Sequence, residues 1–557
     1  MSLLRGAILL IAAAGAITCF PVKYLSADWQ QAYYRWFGEG VAEEAPPGVV
    51  APTPVLDGAQ ICAPDREAHA KAQTIAGVDI EAVDDCMPDN PYDVAVSVRG
   101  SNNVPAMVLM QSLYTPDTIE KSDDIDGDGD PDRIHIRLEL IELNGHSPDA
   151  PVTLPNFEIA PGIAPGAWVF APKSRGMSTV DFESIEANRL LRLPAPAIRV
   201  EQGDHVSVTL ENTHYLPHTI HFHGVDHPFV TAEGQGNDGV PVFSEHPIEP
   251  GEQRTYQFQP RQPGTAFYHC HVQPHTHILM GLQGLFIVEP DQPNNWLQTF
   301  NIGGGRLRAR SATSQSRYAR EYDLHYTEID RDLNNRIQTS SDPRVISRAV
   351  HRDYNITQRV PEYFLLNGRS FPYTLRESLV VTAADERNRL RILNAGSEGI
   401  ALHFHGHKPR LTHTDGVALD AAQQRDVFWI APAQRADIEL LSIDDGLNNY
   451  GKGAWLLHDH REQAVTTDGI GPGGDVSLVI DESYLGPEGL PQPHGGLEKL
   501  ALFFDPAYYR GELPVFTGMG MDYLAPPAPA RSAKNTVFWV AVLVLLVTLL
   551  TPWVRKP

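Results

Sequence analysis

The chain has 557 residues and is 42% hydrophobic, enough for two to four domains with buried cores. Lys and Arg total 44 against 69 Asp and Glu, a formal charge of −25. That balance argues against nucleic acid or an anionic membrane surface as the main partner, and suits small cations or neutral organic molecules.

In chain order, residues 1–25 carry Arg5 and the apolar run AILLIAAAGAITCF (7–20), a signal-peptide core or an uncleaved membrane anchor. Thr18 makes the residues before Cys19 a poor lipoprotein box. Residues 26–91 read as a neck: an aromatic patch from Trp29 to Trp36, then the Pro-rich EEAPPGVVAPTP. Cys62 and Cys86 are free to pair there if the segment is exported, which leaves Cys270 as the one unpaired thiol of the exported part.

A first β-rich domain is predicted over 92–290, with strands such as RIHIRLELIEL (133–143), AIRVEQGDHVSVTLEN (197–212) and QRTYQFQP (253–260) separated by turn residues. Its loop DDIDGDGDPD sets Asp124, Asp126, Asp128, Asp130 and Asp132 at alternating positions, as calcium ligands or as a solvated acidic turn. Residues 291–360 read as a polar connector holding one strand, EYDLHYTEI. A second β-rich domain is predicted over 361–482, a linker over 483–535, and a transmembrane helix over 536–554. That last run, TVFWVAVLVLLVTLLTPWV, is uncharged, with Trp539 and Trp553 near its ends. Arg555 and Lys556 after it place the bulk of the chain on the periplasmic or extracellular side. The fold class is all-β: two Greek-key sandwiches between an apolar leader and a membrane helix.

The chemistry concentrates in GTAFYHCHVQPHTHILMG (264–281). A strand ending at His271 turns His269 and His271 to one face and Cys270 to the other. Cys270, His275 and Met280 offer a thiolate, an imidazole and a weak thioether, and His218 in HTIHFHG supplies a second imidazole. That donor set suits a blue type 1 copper, and Met280 as axial ligand suits a moderate potential. Four His-x-His pairs recur: His221/His223, His269/His271, His403/His405 and His458/His460. Eight imidazoles suit a three-copper cluster better than one zinc, which takes three or four ligands.

HTIHFHG, DGVPVFSEHPIEPG, GTAFYHCHVQPHTHILMG, FLLNGRSFPY, LHFHGH and WLLHDH together resemble the copper motifs of multicopper oxidases, the laccase-like family of cupredoxin domains. The resemblance covers about 92–290 and 361–482. It implies a type 1 copper at His218, Cys270, His275 and Met280, a type 2 copper at His221 and His403, and a type 3 pair at His223, His269, His271, His405, His458 and His460. Asp415, or else Asp238, is the implied proton donor. The cysteine lies in the first domain, as in two-domain members built as homotrimers whose three-copper cluster is shared between subunits. The implied reaction is one-electron oxidation of a phenol, a low-valent metal ion or a partner redox protein, coupled to reduction of dioxygen to water. The alternatives are a copper-containing nitrite reductase and a copper-binding protein without turnover.

Overall fold

The computed structural model describes residues 119–146, 157–173, 192–293, 299–307, 317–486, 489–492 and 500–513, with short pieces at 12–13, 16, 73–75, 78–80, 295, 297 and 540–546. The chain divides into two compact units: Met1–Ala51 with Arg510–Pro557, and Pro52–Tyr509. Most of the first unit, and both Cys62 and Cys86, lie outside the described residues. The predicted span 536–554 falls mostly outside them as well, although 540–546 are helical. No helix among the described residues is long and apolar enough to cross a membrane.

The second unit is built of β-sheets. In its first half, strands β1 (Ile119–Ser122), β2 (Arg133–Leu143), β3 (Ala167–Pro172), β5 (His205–Glu211) and β7 (Gln253–Phe258) form one five-stranded sheet. Strands β4 (Ala197–Glu201), β6 (His221–His223), β8 (Gly264–His269), β9 (Gln283–Glu289) and β10 (Phe300–Asn301) form another. The period-2 alternation predicts which side chains meet: Ile136, Leu138, Val208 and Tyr256 share one apolar core with Ile198, Phe222, Tyr268 and Phe286.

The second half repeats the plan. A seven-stranded sheet carries β11 (Gly305–Arg306), β12 (Arg320–Ile329), β13 (Tyr363–Leu366), β15 (Arg387–Asn394), β17 (Arg410–Thr414), β18 (Val417–Gln424) and β20 (Arg435–Leu441). A five-stranded sheet carries β14 (Val380–Thr382), β16 (Ile400–Phe404), β19 (Val427–Ile430), β21 (Ala454–Asp459) and β22 (Ser477–Asp481).

The interval 291–360, read above as a connector, is divided between the two halves. Its strand β12 lies inside the second half's sheet, paired parallel to β15. Its helical stretch packs on the first half, where Leu333, Ile337, Ile346 and Val350 join the core cluster that contains Cys270.

The two halves meet through a buried ionic layer as well as apolar contacts. Arg199 on β4 donates to Asp323 on β12 at 2.7 Å. Arg391 on β15 reaches Glu289 on β9 at 2.7 Å and Thr265 on β8 at 2.9 Å, and also pairs with Glu321. Beside them Phe267, Leu285 and Ile287 pack against Leu393 and Ala395. Burial opposes the charge on Arg391, but Glu289, Glu321 and Asp437 more than offset it and hold the guanidinium ionised.

Candidate metal centres

Strand β8 explains how one stretch serves two sites. Ala266, Tyr268 and Cys270 belong to the first core, whereas Phe267 faces the other half and His269 faces the neighbouring histidines. The predicted split between Cys270 and the flanking histidines is the geometry observed.

On the core side, the Cys270 Sγ lies 3.4 Å from His277 Nδ1 and 3.6 Å from His218 Nδ1, and the donor atoms of the three residues converge. Met280 is fully buried in the same cluster. The second imidazole is therefore His277, and the assignment of His275 is corrected. After the left-handed Gln273 (φ 46°) the chain enters the single helical turn α1 (Pro274–His277). Residues two apart on a helix point to nearly opposite sides, so His277 is buried and His275 is exposed.

Around these residues stand three that sequence reasoning missed. His214 Nδ1 lies 2.9 Å from His218 Nε2, and His351 Nε2 lies 2.9 Å from His277 Nε2. Trp168 sets its ring edge-on to His214, His218 and His277, at centroid distances of 5.1, 6.2 and 5.1 Å. None of the three belongs to a His-x-His pair; His214 stands four residues before His218, whereas nothing local marks Trp168 or His351.

Burial drives the proton equilibria. It raises the Cys270 thiol to about 12 and lowers His218 and His277 well below the usual imidazole range, with mutual repulsion among the rings adding to the effect. The site thus presents neutral imidazoles around a thiol that has to lose its proton to bind a metal. A soft sulfur donor beside two imidazoles and a thioether fits copper better than calcium or magnesium.

On the opposite side of β8, strand register gathers the other histidines. His269 pairs with His221 across β8 and β6, and His221, His223, His269 and His271 form a group with ring centroids 5.3–6.0 Å apart along its contacts. In the second half His403 pairs with His458, and His403, His405, His458 and His460 form a like group at 4.6–5.6 Å. Among the described residues no ring contact joins one group to the other.

Several rings are oriented from behind. His221 Nδ1 donates to the Asp238 carbonyl at 2.7 Å, His269 to Cys270 at 3.0 Å, His403 to Asp426 at 3.1 Å and His458 to Asp459 at 3.0 Å. Each bond occupies Nδ1 and leaves Nε2 to face a metal, the usual arrangement behind a ligating imidazole. Burial lowers His223 to about 4, with Arg435 adding to the effect, and His269 to about 3; His221, His405 and His458 fall as well.

Of the two predicted proton donors, Asp238 contacts this group: its carboxylate lies 3.3 Å from His221 Nδ1 and 3.4 Å from His227 Nε2, a histidine the sequence did not single out. Gly239 (φ +76°) lets the loop approach, since a Cβ there would meet the Ile220 carbonyl at 2.1 Å. Asp415 instead sits in a turn paired with Arg435 at 3.2 Å, and acts on His223 through its charge.

In the acidic loop, Asp124, Asp126 and Asp132 converge, as do Asp126, Asp128 and Asp291. Their oxygens already accept from the loop's own backbone, as Asp124 does from Gly127 and Asp128 at 2.7 and 3.0 Å. The loop is thus closed by its own amides.

Compared with known proteins, residues 186–293 match the family model described as multicopper oxidase. The iron transport multicopper oxidase FET3 of Gibberella zeae is 26% identical over 314 residues, 51% of this chain and 44% of that protein. The copper-containing nitrite reductase of Neisseria meningitidis is 37% identical over 103 residues, 18% of this chain and 24% of that one. The chain thus spans less than half the length of these curated relatives. Among solved structures, the blue copper oxidase of Nitrosomonas europaea aligns over 68% of this chain and 92% of its own, at 25% identity and a TM-score of 0.46.

Proposed function

We propose that the chain is a copper-dependent oxidoreductase that takes single electrons from a low-valent metal ion or a phenolic donor and reduces dioxygen to water; the match of residues 186–293 to the multicopper oxidase model supports this reading. The observation that carries this reading is the two-sided end of β8, where Cys270 faces a buried thiolate–imidazole site and its neighbours His269 and His271 face a histidine cluster. Copper would supply one-electron transfer at the first site and dioxygen chemistry at the second. His218, Cys270, His277 and Met280 would hold one copper; His221 and His403 would hold a type 2 ion, and His223, His269, His271, His405, His458 and His460 a type 3 pair.

The chain's own residues define the rest. One peptide bond on either side links Cys270 to His269 and His271, so the sites are joined through the backbone. The carbonyls behind His221, His269, His403 and His458 fix ring orientation before metal arrives. Asp238, within reach of His221 and His227, holds the acid position beside the cluster.

The histidines stand as two separate groups in one chain, and each half also carries exposed apolar residues. Phe229, Val242 and Phe243 (59%, 89% and 82% exposed) lie in the segment between β6 and β7; Trp429 (66%) lies on β19, and Leu447 and Tyr450 (82% and 72%) lie in the segment before β21. A homotrimer in which the first half of one subunit completes its cluster with the second half of the next accounts for both features. Placement outside the cytoplasm on a membrane tether rests on the uncharged run 536–554.

The nitrite reductase reading draws on the 103-residue similarity to the Neisseria enzyme, and leaves most of the eight histidines without a role. The test is metal content with electron paramagnetic resonance on the purified chain, alongside oxygen uptake with a phenol or Cu(I). One type 1 and one type 2 signal, further silent copper and oxygen consumption support the oxidase. Two coppers per chain and consumption of nitrite without oxygen refute it.

A further inference from the structure

His277 is fully buried, so the imidazole that flanks Cys270 has no edge in solvent. Its Nδ1 faces the thiol at 3.4 Å; its Nε2 points away from it and meets His351 Nε2 at 2.9 Å, with ring centroids 5.0 Å apart. His351 lies in a π-helical turn (Ala349–Asp353) that continues α2 (Pro343–Arg348), outside the segments that resemble copper motifs. Such turns are uncommon and often mark functional positions. This turn is anchored: Ile346 and Val350 are buried in the Cys270 core, and Arg336 donates to the Ala349 carbonyl at 2.8 Å. His351 itself is half-buried, with Ser347 Oγ 3.4 Å from its other ring nitrogen.

We propose that His351 is the donor-facing positioning residue of the Cys270 site: it holds the His277 ring by its outer nitrogen and shields it, so that an electron donor meets His351 and not His277. The proposal rests on the copper reading of Cys270. The donor would give one electron to a copper held by His218, Cys270, His277 and Met280, with no bond formed and no proton changing hands at His351. The selection falls on size. A small donor, such as an aquated low-valent metal ion, needs only outer contact with His351, whereas a bulky phenol is denied the His277 ring edge.

The test uses the copper-loaded full chain and the variants His351→Ala and His351→Phe. Three quantities are read: the blue absorption band, the reduction potential of that centre, and the anaerobic rate at which a bulky phenol bleaches it. His351→Ala is expected to keep the band and bleach at least tenfold faster, because His277 is uncovered. His351→Phe retains the bulk and is expected to bleach no faster than the parent. Both variants lose the nitrogen held to His277, so both are expected to shift the potential. Unchanged bleaching in His351→Ala, fast bleaching in His351→Phe, or an unmoved potential in both variants would each overturn the proposal. Absence of a blue band in the copper-loaded parent would instead refute the copper reading on which it rests.

Discussion

Exchanging one histidine at a time in the turn after Cys270 tests the site at its most specific point. His277→Ala removes a fully buried ring packed between Trp168 and Cys270. The side chain lost and the void left should lower stability by about 2–4 kcal/mol, the range for large-to-small core substitutions. It also removes one of two imidazoles beside the thiol, so the blue band should vanish on copper loading. His275→Ala removes an exposed ring two residues away, and should change stability by no more than about 0.5 kcal/mol and leave the band intact. The assay pairs denaturant unfolding of the copper-free chain with visible absorption after loading. A blue His277→Ala beside a colourless His275→Ala would refute the geometry of the α1 turn and restore the spacing-based assignment.

Three further outcomes follow from the same structure. Phe243→Asp places a charge on a side chain that is 82% exposed and assigned to the subunit contact; sedimentation should show dissociation to monomers that keep the blue centre but lose the remaining copper, and an intact trimer would count against the shared cluster. Arg391→Ala removes one buried guanidinium shared by Glu289, Glu321 and Asp437, which keep Arg199 or Arg389, and should cost about 3–5 kcal/mol, read by denaturant unfolding; a loss below about 1 kcal/mol would mean the ionic layer is not what joins the halves. Burial raises Glu201 from 4.5 to about 9, so its neutral form is the one the fold favours. The stability it contributes is present below 4.5 and is lost as pH rises through 9, so Glu201→Gln should gain stability over the parent at high pH and not at low pH, and a difference independent of pH would sink that assignment.

The β class is legible because half-buried strands write their period into the sequence: Val206, Val208 and Leu210 alternate with polar neighbours and all three point into the core. The split between Cys270 and its flanking histidines follows from the same period. The period fails at Gln273, where one left-handed residue turns the strand into a helix and reverses which of His275 and His277 faces inward. Strand β12 is legible as a strand, but its place inside the second half's sheet hides for a different reason. Glu321 and Asp323 give EYDLHYTEI the polarity of a surface segment, yet both are buried against Arg199 and Arg391, partners far away in sequence. His351 escapes notice because it acquires its meaning from a long-range contact, reaching His277 across 74 residues, whereas His214 lies only four residues before His218 and outside the His-x-His pattern.

That buried ionic layer also bears on why a complete cluster is assigned to more than one chain. Arg199 and Arg391 tie β4, β8 and β9 of the first half to β12, β15 and β20 of the second, and Phe267 and Leu393 seal the same seam. Shearing the halves would strand several buried charges at once, each loss costing on the order of a few kcal/mol, so hinge closure of one chain around its own two histidine groups is disfavoured. In the proposed trimer a second copy would bring the missing imidazoles without breaking any of these pairs, and would cover Phe243 and Trp429, both exposed in the single chain. Completion by association therefore demands less of the fold than completion by rearrangement.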